Sequence, residues 1–212
     1  ECPALTILVP QDYPTIQAGI DAASDGDTVL VSAGTYVENI FYYGKAITLG
    51  SFFITTGDTS YISQTIINGN GGEVVRFVND EDANSILEGF TLTNGGFGIS
   101  LNNASPTIRY VHIINNSEAG IYCTYSNPSI SYSIIKNNSG YVAGGINLNN
   151  SDPILLNVLI SDNTSSNATG GGGIYAIYSN PVLQFVTITN NIHSAGENVG
   201  GIYVHYSNCT MT

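Results

Sequence analysis

Charge is scarce in this sequence, and positive charge is the scarcest. Only 9% of the 212 residues are charged, with 4 Lys+Arg against 16 Asp+Glu, which gives a formal net charge of -12 at pH 7. Nucleic acids and anionic membranes attract basic surfaces, so neither is an expected partner. Polyanionic glycans are poor ligands for the same reason, unless a cation bridges them to the chain.

Long apolar runs and a cysteine framework are absent as well. No stretch is long and apolar enough to span a bilayer, so membrane insertion is not expected. The sequence has no N-terminal signal segment, which points to mature or trimmed numbering. Three cysteines are too few for a disulfide scaffold.

What the sequence does contain is a repeated frame in its second half. Each copy opens with Gly-Ile, alternates apolar and polar residues, turns, and continues into a second strand. The copies start at Gly98, Gly120, Gly145, Gly173 and Gly201, and the last is incomplete. A frame of this period predicts a solenoid, because one unit cannot bury its apolar side alone.

The columns of the frame predict the kind of solenoid. The residues after the glycines form an apolar column: Ile99, Ile121, Ile146, Ile174 and Ile202. Apolar positions alternate with polar ones, which is typical of strands that face a core on one side. Because the gaps between strands are too short for crossover helices, a parallel β-helix is the predicted architecture.

The turns support this prediction. In each of the four complete copies, the first strand is followed by a turn that contains a proline: Pro106, Pro128, Pro153 or Pro181. The second strand ends at a polar column made of Asn115, Asn137, Asp162 and Asn190. Either these side chains form a hydrogen-bonded ladder, or they are there because Asn tolerates turn geometry. The loops that follow lengthen along the chain and are expected to leave from one corner and build one wall.

The N-terminal part of the sequence does not follow the repeated frame. Residues 4–9 predict a strand, and the spacing of Ile16, Ile20 and Ala23 predicts a short helix within residues 14–23 that caps the solenoid. We predict a single domain over 1–212. It comprises a strand and cap helix (1–26), irregular first coils (27–97) and regular repeats (98–212).

A family resemblance rests on this region. The segment YPTIQAGIDAASDGDTVLVSAGTYVENI from Tyr13, with KAITLGS from Lys45 and TIING from Thr65, resembles secreted proteins of the pectin-lyase-like superfamily. The resemblance covers nearly the whole chain. It implies an all-β, right-handed, single-stranded parallel β-helix and a secreted or cell-surface location.

Catalytic motifs of that superfamily are missing from the sequence. The acidic strings of its esterases, the Asn-Thr-Asp and Gly-His-Gly of its hydrolases and the Asp-Pro-His of its epimerases do not occur. The favoured hypothesis is therefore a structural, self-assembling or glycan-binding module. The alternative is a polysaccharide-active, lyase-like enzyme of which this chain is all or part.

Weak candidates for catalysis and for a metal can still be named. Arg109 and His112 share one predicted strand, and Glu88 lies one coil below, under Arg109. A lyase needs such a base and a carboxylate neutraliser. The other interpretation is an exposed ion pair between Glu88 and Arg109. No cofactor is required, but the acidic run Asp80, Glu81 and Asp82 could help to bind Ca²⁺.

Two tyrosine columns are the strongest binding candidates. Tyr122, Tyr175 and Tyr203 point outward by parity, and three residues later stand Tyr125, Tyr178 and Tyr206. Asn147 and Asn150 interrupt the two columns in one coil. Exposed aromatic rings beside Asn suit a neutral glycan. The competing interpretation is a packed surface ladder.

The incomplete fifth copy raises the question of what covers the last strands. The possibilities are further coils, a partner, or another copy of the chain added by β-strand addition to form a filament. Cys2 and Cys209 lie about 30 Å apart in a stack of about seven coils, so they cannot bond within one chain. Head-to-tail self-association would bring Cys209 of one copy near Cys2 of the next. Cys123 is expected to be buried and apolar.

Overall fold

In the computed structural model, which describes residues 3–167, 169–195 and 199–212, equivalent strands of successive coils pair in parallel. Each regular coil passes through sheets A, B and C in that order, and sheet D lies between B and C in the later coils. The fold is the predicted right-handed parallel β-helix.

The strands of sheet A are Thr6–Val9, Thr28–Val31, Thr48–Ser51, Ile86–Glu88, Thr107–Arg109, Ser129–Ser131, Ile154–Leu156, Val182–Gln184 and Thr210–Met211. The strands of sheet B are Gly34–Val37, Thr65–Asn68, Thr91–Thr93, His112–Ile114, Ile134–Lys136, Leu159–Ser161 and Thr187–Thr189. The strands of sheet C are Ile40–Phe41, Val75–Phe77, Phe97–Asn102, Ala119–Thr124, Ile146–Asn149, Ile174–Ile177 and Ile202–His205. The strands of sheet D are Ser139–Gly140, Thr164–Ser165 and Ile192–His193.

The core follows the apolar columns of the sequence. Ile121, Ile146 and Ile174 are paired in register and are 0%, 0% and 1% exposed, which confirms the predicted stack. Glu88 pairs with Arg109 in sheet A, as the alignment of the earlier coil predicted. Because every coil contributes the same column, the interior is one continuous apolar cluster.

The predicted N-terminal helix, α1, spans Ile16–Ala22 and contacts the first two strands of sheet A. Ile16 and Ile20 are fully buried on its inner face. The Glu38 carboxylate accepts the backbone N–H groups of Ile16 and Gln17, both at 3.0 Å. This placement satisfies two of the unpaired donors that begin every helix.

Two further short helices, α2 (Phe53–Thr56) and α3 (Ser60–Gln64), were not predicted. They lie over the corner between sheets A and B. The Phe53 ring packs 4.7 Å from that of Tyr110, and Thr91 Oγ1 donates to the Ile62 carbonyl at 2.7 Å. No helix among the described residues has the length and apolar character of a membrane span.

The polar column at the end of sheet B has a left-handed backbone. Its members have φ values near +55°, namely Asn115 (56°), Asn137 (55°), Asp162 (56°) and Asn190 (54°). Asn and Asp adopt this conformation more readily than other non-glycine residues. The turn-geometry interpretation of this column is therefore confirmed, and the ladder interpretation is wrong for these residues.

The ladder lies one residue further on, inside the solenoid. Asn116 Nδ2 donates to Asn138 Oδ1 at 2.9 Å, Asn138 to Asn163 at 3.0 Å, and Asn163 to Asn191 at 2.9 Å. Each of these oxygens also accepts the backbone N–H of the residue one coil earlier. Buried amides are thus paired through the stack, as low-dielectric surroundings require.

A second ladder of serines stabilises the corner between sheets C and A. The Oγ of each serine accepts the backbone N–H of its counterpart one coil earlier, at 3.1 Å for Ser151, 3.0 Å for Ser179 and 2.9 Å for Ser207. The residue just before each serine has a left-handed backbone: Tyr125 (φ 49°), Asn150 (50°), Tyr178 (50°) and Tyr206 (50°). We call these four residues, with Asn103 (53°) one coil earlier, the corner column.

Candidate functional site

Sheet D forms the wall that the lengthening loops predicted. Its strands are parallel, and Ser139 pairs with Thr164 and Thr164 with Ile192. The connection between sheets B and C is short after Ile114 (residues 115–118) and long after Lys136 (residues 137–145). The wall therefore begins as a step in the surface at the coil that contains residues 137–145.

Close packing at the base of the step requires glycine at position 140. A Cβ atom on Gly140 would overlap the carbonyl oxygens of Ala143 and Glu118. Neither oxygen belongs to a flexible side chain, so a larger residue would push the loop away from the coil below. The loop that overhangs the step is thereby held against Glu118.

A groove of about 490 Å³ lies in the angle between the wall and the outer face of sheet C. Its lining consists of Phe97, Ser117, Glu118, Ser139, Gly140, Tyr141, Val142, Asn147, Thr164 and Ser166. We call it the wall groove. It combines two aromatic rings, four hydroxyl side chains, one amide and one carboxylate, and none of these lining residues is basic. Such a mixture suits a polar, uncharged ligand with some apolar surface.

The backbone beneath the groove is well ordered by hydrogen bonds between coils. The N–H of Ser117 donates to the Gly95 carbonyl and that of Glu118 to the Gly96 carbonyl, both at 2.9 Å. Tyr141, at the edge of the wall, is 70% exposed. The backbone under the groove is thus hydrogen-bonded to the preceding coil, and the rim carries an exposed aromatic ring.

The first tyrosine column borders the groove. In sheet C, Tyr122 pairs with Asn147, Asn147 with Tyr175, and Tyr175 with Tyr203. We call these four residues the sheet C column. The Tyr122 ring stacks on Phe97 with 5.1 Å between centroids, and Tyr175 stacks on Tyr203 at 5.3 Å. Burial, with a smaller contribution from Tyr203, raises the pKa of Tyr175.

The corner column lies at the opposite edge of sheet C from the wall. Tyr125, Tyr178 and Tyr206 are 61%, 53% and 70% exposed. A left-handed backbone costs a bulky residue roughly 1–2 kcal/mol. The rings of Tyr178 and Tyr206 stack with 5.2 Å between centroids and an interplanar angle of 4°. This stack offsets about 0.5–1.5 kcal/mol of the backbone cost for the pair. Packing accounts for part of this column, and the exposure of its rings keeps them open to a ligand.

The structure brings Glu88 and Arg109 together. Arg109 Nε lies 2.7 Å from Glu88 Oε2, and the Glu88 side chain is 9% exposed. His112 lies beyond the corner at Tyr110, on sheet B, and lines a different groove beside α3. Burial lowers the pKa of His112. The three candidates for catalysis therefore face two separate surfaces.

The acidic run has structural partners. Glu81 is 2% exposed, and its carboxylate accepts the backbone N–H groups of Gly44 and Asn79, both at 2.9 Å. Asp82 accepts the N–H of Asn84 at 2.8 Å, and Asp80 has a left-handed backbone. Across residues 3–167, 169–195 and 199–212, no group of three or more His, Cys, Asp or Glu residues has an arrangement that could hold a metal ion.

The cysteines are placed as follows. Cys123 is fully buried, and burial raises the pKa of its thiol well above the usual range. Cys209 is half-buried and packs against the end of the core. Cys2 lies outside the described residues. The expected contact between Cys2 and Cys209 of neighbouring copies therefore stays a prediction.

Several residues of the wall groove were not foreseen from the sequence. Glu118 and Tyr141 lie in loops and Thr164 lies in a two-residue strand, and in neither setting does alternation carry information about direction. The available signal was the jump in loop length after Lys136, which indicated a wall but not its lining. The outward direction of Tyr122, Tyr175 and Tyr203 was predicted from parity, and the structure places this column beside the groove.

Comparisons with known proteins agree with the fold. A family model described as "Right handed beta helix region" matches residues 32–157. Among solved structures, the pectin methylesterase from Aspergillus niger in deglycosylated form is similar at 14% identity and a TM-score of 0.46, covering 100% of this chain and 86% of that one. The alginate lyase from Paenibacillus sp. str. FPU-7 is similar at 12% identity and a TM-score of 0.41, covering 96% and 99%. No curated protein sequence matches.

Proposed function

Because the chain belongs to the right-handed β-helix family, a fold that offers long, rigid sheet faces, we propose that it binds a neutral glycan in the wall groove. The observation that carries the proposal is the lining of that groove. Hydroxyl and amide groups are suited to sugar hydroxyls, and the rings of Phe97 and Tyr141 are suited to the apolar faces of sugar rings.

The charge of the groove favours an uncharged ligand. Glu118 is the one carboxylate among the described lining residues, and no Lys, Arg or His accompanies it. With a net charge of -12, the chain repels anionic glycans. A neutral glycan of this kind would be met outside the cell, so a secreted or cell-surface location belongs to the proposal.

The same lining supports binding over catalysis. Glycoside hydrolysis generally uses two carboxylates, and a lyase uses a base with a neutraliser for the sugar carboxylate. The described lining supplies a single carboxylate and no basic side chain. A groove with this set of side chains can hold and orient a glycan.

Affinity electrophoresis in native gels tests the proposal. The gels contain hydroxyethylcellulose, galactomannan or mixed-linkage β-glucan, with polygalacturonate as an anionic comparator and with Ca²⁺ or EDTA. We expect at least one neutral polymer to retard the chain in EDTA. Tyr141→Ala should weaken that retention about tenfold, which corresponds to roughly 1.4 kcal/mol.

The matched control is Tyr13→Ala, which removes a tyrosine that is 37% exposed and does not line the groove. Its retention should equal that of the parent. Equal losses in both variants, or no retention by any neutral polymer, would contradict the proposal. Release of reducing or unsaturated sugars that stops in Glu118→Gln would show an enzyme instead.

A further inference from the structure

Both tyrosine columns are interrupted in the same coil. Asn147 stands between Tyr122 and Tyr175 in the sheet C column. Three residues later, Asn150 stands between Tyr125 and Tyr178 in the corner column, where the backbone N–H of Tyr125 donates to the Asn149 carbonyl. The coil with the two asparagines thus carries a small side chain wherever its neighbours on both sides carry a ring.

The ring stacks leave the faces toward this coil uncovered by another ring. Tyr122 is stacked on Phe97 on its N-terminal side, and Tyr175 on Tyr203 on its C-terminal side. Tyr178 is likewise stacked on Tyr206 on its C-terminal side. Each of these tyrosines therefore has one face against an aromatic ring and the other toward the asparagine coil.

The spacing between the facing rings fits one sugar ring. Two coil steps separate the backbones at Tyr122 and Tyr175, and at Tyr125 and Tyr178, which is about 9.6 Å. Contact with both rings requires about 3.5–4.0 Å on each side, or roughly 7–8 Å for a flat ring. The remainder accommodates the greater thickness of a saturated sugar ring. Asn147 and Asn150 form the floor, where amides can bond to hydroxyl groups.

One residue, Asn147, links the wall groove to the nearer of the two spaces. Asn147 lines that groove and also forms the floor between Tyr122 and Tyr175. From Asn147 to Asn150 the strand advances about 10 Å, a length on the order of two sugar rings. Starting at the wall, the path leads past Asn147 to Asn150, perpendicular to the solenoid axis.

We propose that a neutral glycan chain crosses sheet C along the strand Ile146–Asn149, from the wall groove to the space between Tyr125 and Tyr178. This inference rests on the proposed function and adds the direction of the chain and its second sugar site. A path along the axis is disfavoured because the stacked pairs, such as Tyr175 and Tyr203, cover each other's faces. Only ring edges are available along that path.

The test fills the distant space without touching the wall groove. Asn150→Tyr completes the corner column between Tyr125 and Tyr178, and Asn103→Tyr makes the same change one coil before Tyr125. Asn103 and Asn150 share an exposed position and φ values of 53° and 50°. Circular dichroism confirms folding, and affinity electrophoresis uses hydroxyethylcellulose, galactomannan and mixed-linkage β-glucan.

We expect Asn150→Tyr to weaken retention at least tenfold and Asn103→Tyr to stay within twofold of the parent. Unchanged or stronger retention in Asn150→Tyr overturns the crossing path. If Tyr141→Ala still weakens retention in that case, the proposed function stands. If no neutral polymer retards the parent chain, both proposals are overturned.

A second measurement needs no variant. Nitration by tetranitromethane, read by mass spectrometry, reports the accessibility of each tyrosine. A saturating amount of the best of the three polymers should protect Tyr125 and Tyr178 together with Tyr141, and not Tyr13. Protection of Tyr141 alone would confine the ligand to the wall groove and overturn the crossing path.

Discussion

Replacing Asn138 by Ala should destabilise the chain far more than replacing its neighbour Asn137. Asn138 is 1% exposed, and its Oδ1 accepts both the backbone N–H and the Nδ2 of Asn116, at 3.0 and 2.9 Å. Its Nδ2 donates to the Ile113 carbonyl at 2.9 Å and to Asn163 Oδ1 at 3.0 Å. The amide therefore connects three consecutive coils.

The magnitude follows from the groups that lose a partner. The backbone N–H of Asn116 loses its side-chain acceptor, and a buried polar group without a partner costs about 1–3 kcal/mol. Asn116 Nδ2 loses its shortest hydrogen bond but keeps the carbonyls of Leu92 and Ile114, at 3.4 and 3.3 Å, so this loss adds about 0.5–1.5 kcal/mol. Asn138→Ala should therefore lower the free energy of unfolding by about 1.5–4.5 kcal/mol. Asn137 is exposed with φ 55°, so Asn137→Ala should cost at most about 1–2 kcal/mol, and Asn137→Gly should cost almost nothing.

Urea unfolding followed by far-ultraviolet circular dichroism measures these free energies, with the slope of the transition checked between variants. If Asn138→Ala costs no more than Asn137→Ala, the inner ladder does not stabilise the fold as argued. The isosteric Asn138→Asp gives a second check. Its carboxylate would be buried and would face the oxygens of Ile113 and Asn163, so its pKa in the folded state should rise above the unfolded value of about 3.9.

The pH dependence of Asn138→Asp then has a definite sign. A carboxyl group whose pKa is raised by folding binds more protons in the folded state than in the unfolded state. The stability of the variant, relative to the parent, should be highest below the unfolded pKa and should fall as pH rises through the folded pKa. The variant should be closer to the parent at pH 4 than at pH 7, and the opposite trend would refute the reasoning.

Two further predictions concern the core. Ile146→Ala should lower the free energy of unfolding by about 2–5 kcal/mol, because Ile146 is 0% exposed and the stacked coils can close the cavity only in part; a urea midpoint equal to that of the parent would contradict the buried stack. Cys123 is buried and its thiol pKa is raised, so iodoacetamide should modify it only after unfolding, whereas rapid labelling of the native chain at Cys123 would show that the interior is open.

The register of the sheets could be predicted because one column must face one interior. Ile99, Ile121 and Ile146 recur at the same point of the frame, and a shift by one residue would expose all of them together. Counting back from Asn94 and Asn115, which end equivalent strands, placed Glu88 under Arg109, and the structure confirms this pairing. Alternation and period therefore determine most of the solenoid.

The ladder was misplaced by one residue because both members of an Asn-Asn pair are typical of turns. Only the backbone distinguishes Asn115, which is left-handed, from Asn116, whose side chain turns inward. The short helices α2 and α3 were missed because four or five residues are too few to show a helical period. The lining of the wall groove depends on loop directions, which alternation does not encode.

The inner ladders make successive coils interchangeable. Asn116 donates a side-chain hydrogen bond to Asn138 in the same way as Asn138 does to Asn163. Ser151 Oγ accepts the backbone N–H of Ser126, just as Ser179 Oγ accepts that of Ser151. A coil placed between two others needs only to carry the same inward residues. Gene duplication or loss of one repeat can therefore lengthen or shorten this protein without redesign of its neighbours, while the outward residues diverge freely. The coil with Asn147 and Asn150 differs from its neighbours at such outward positions.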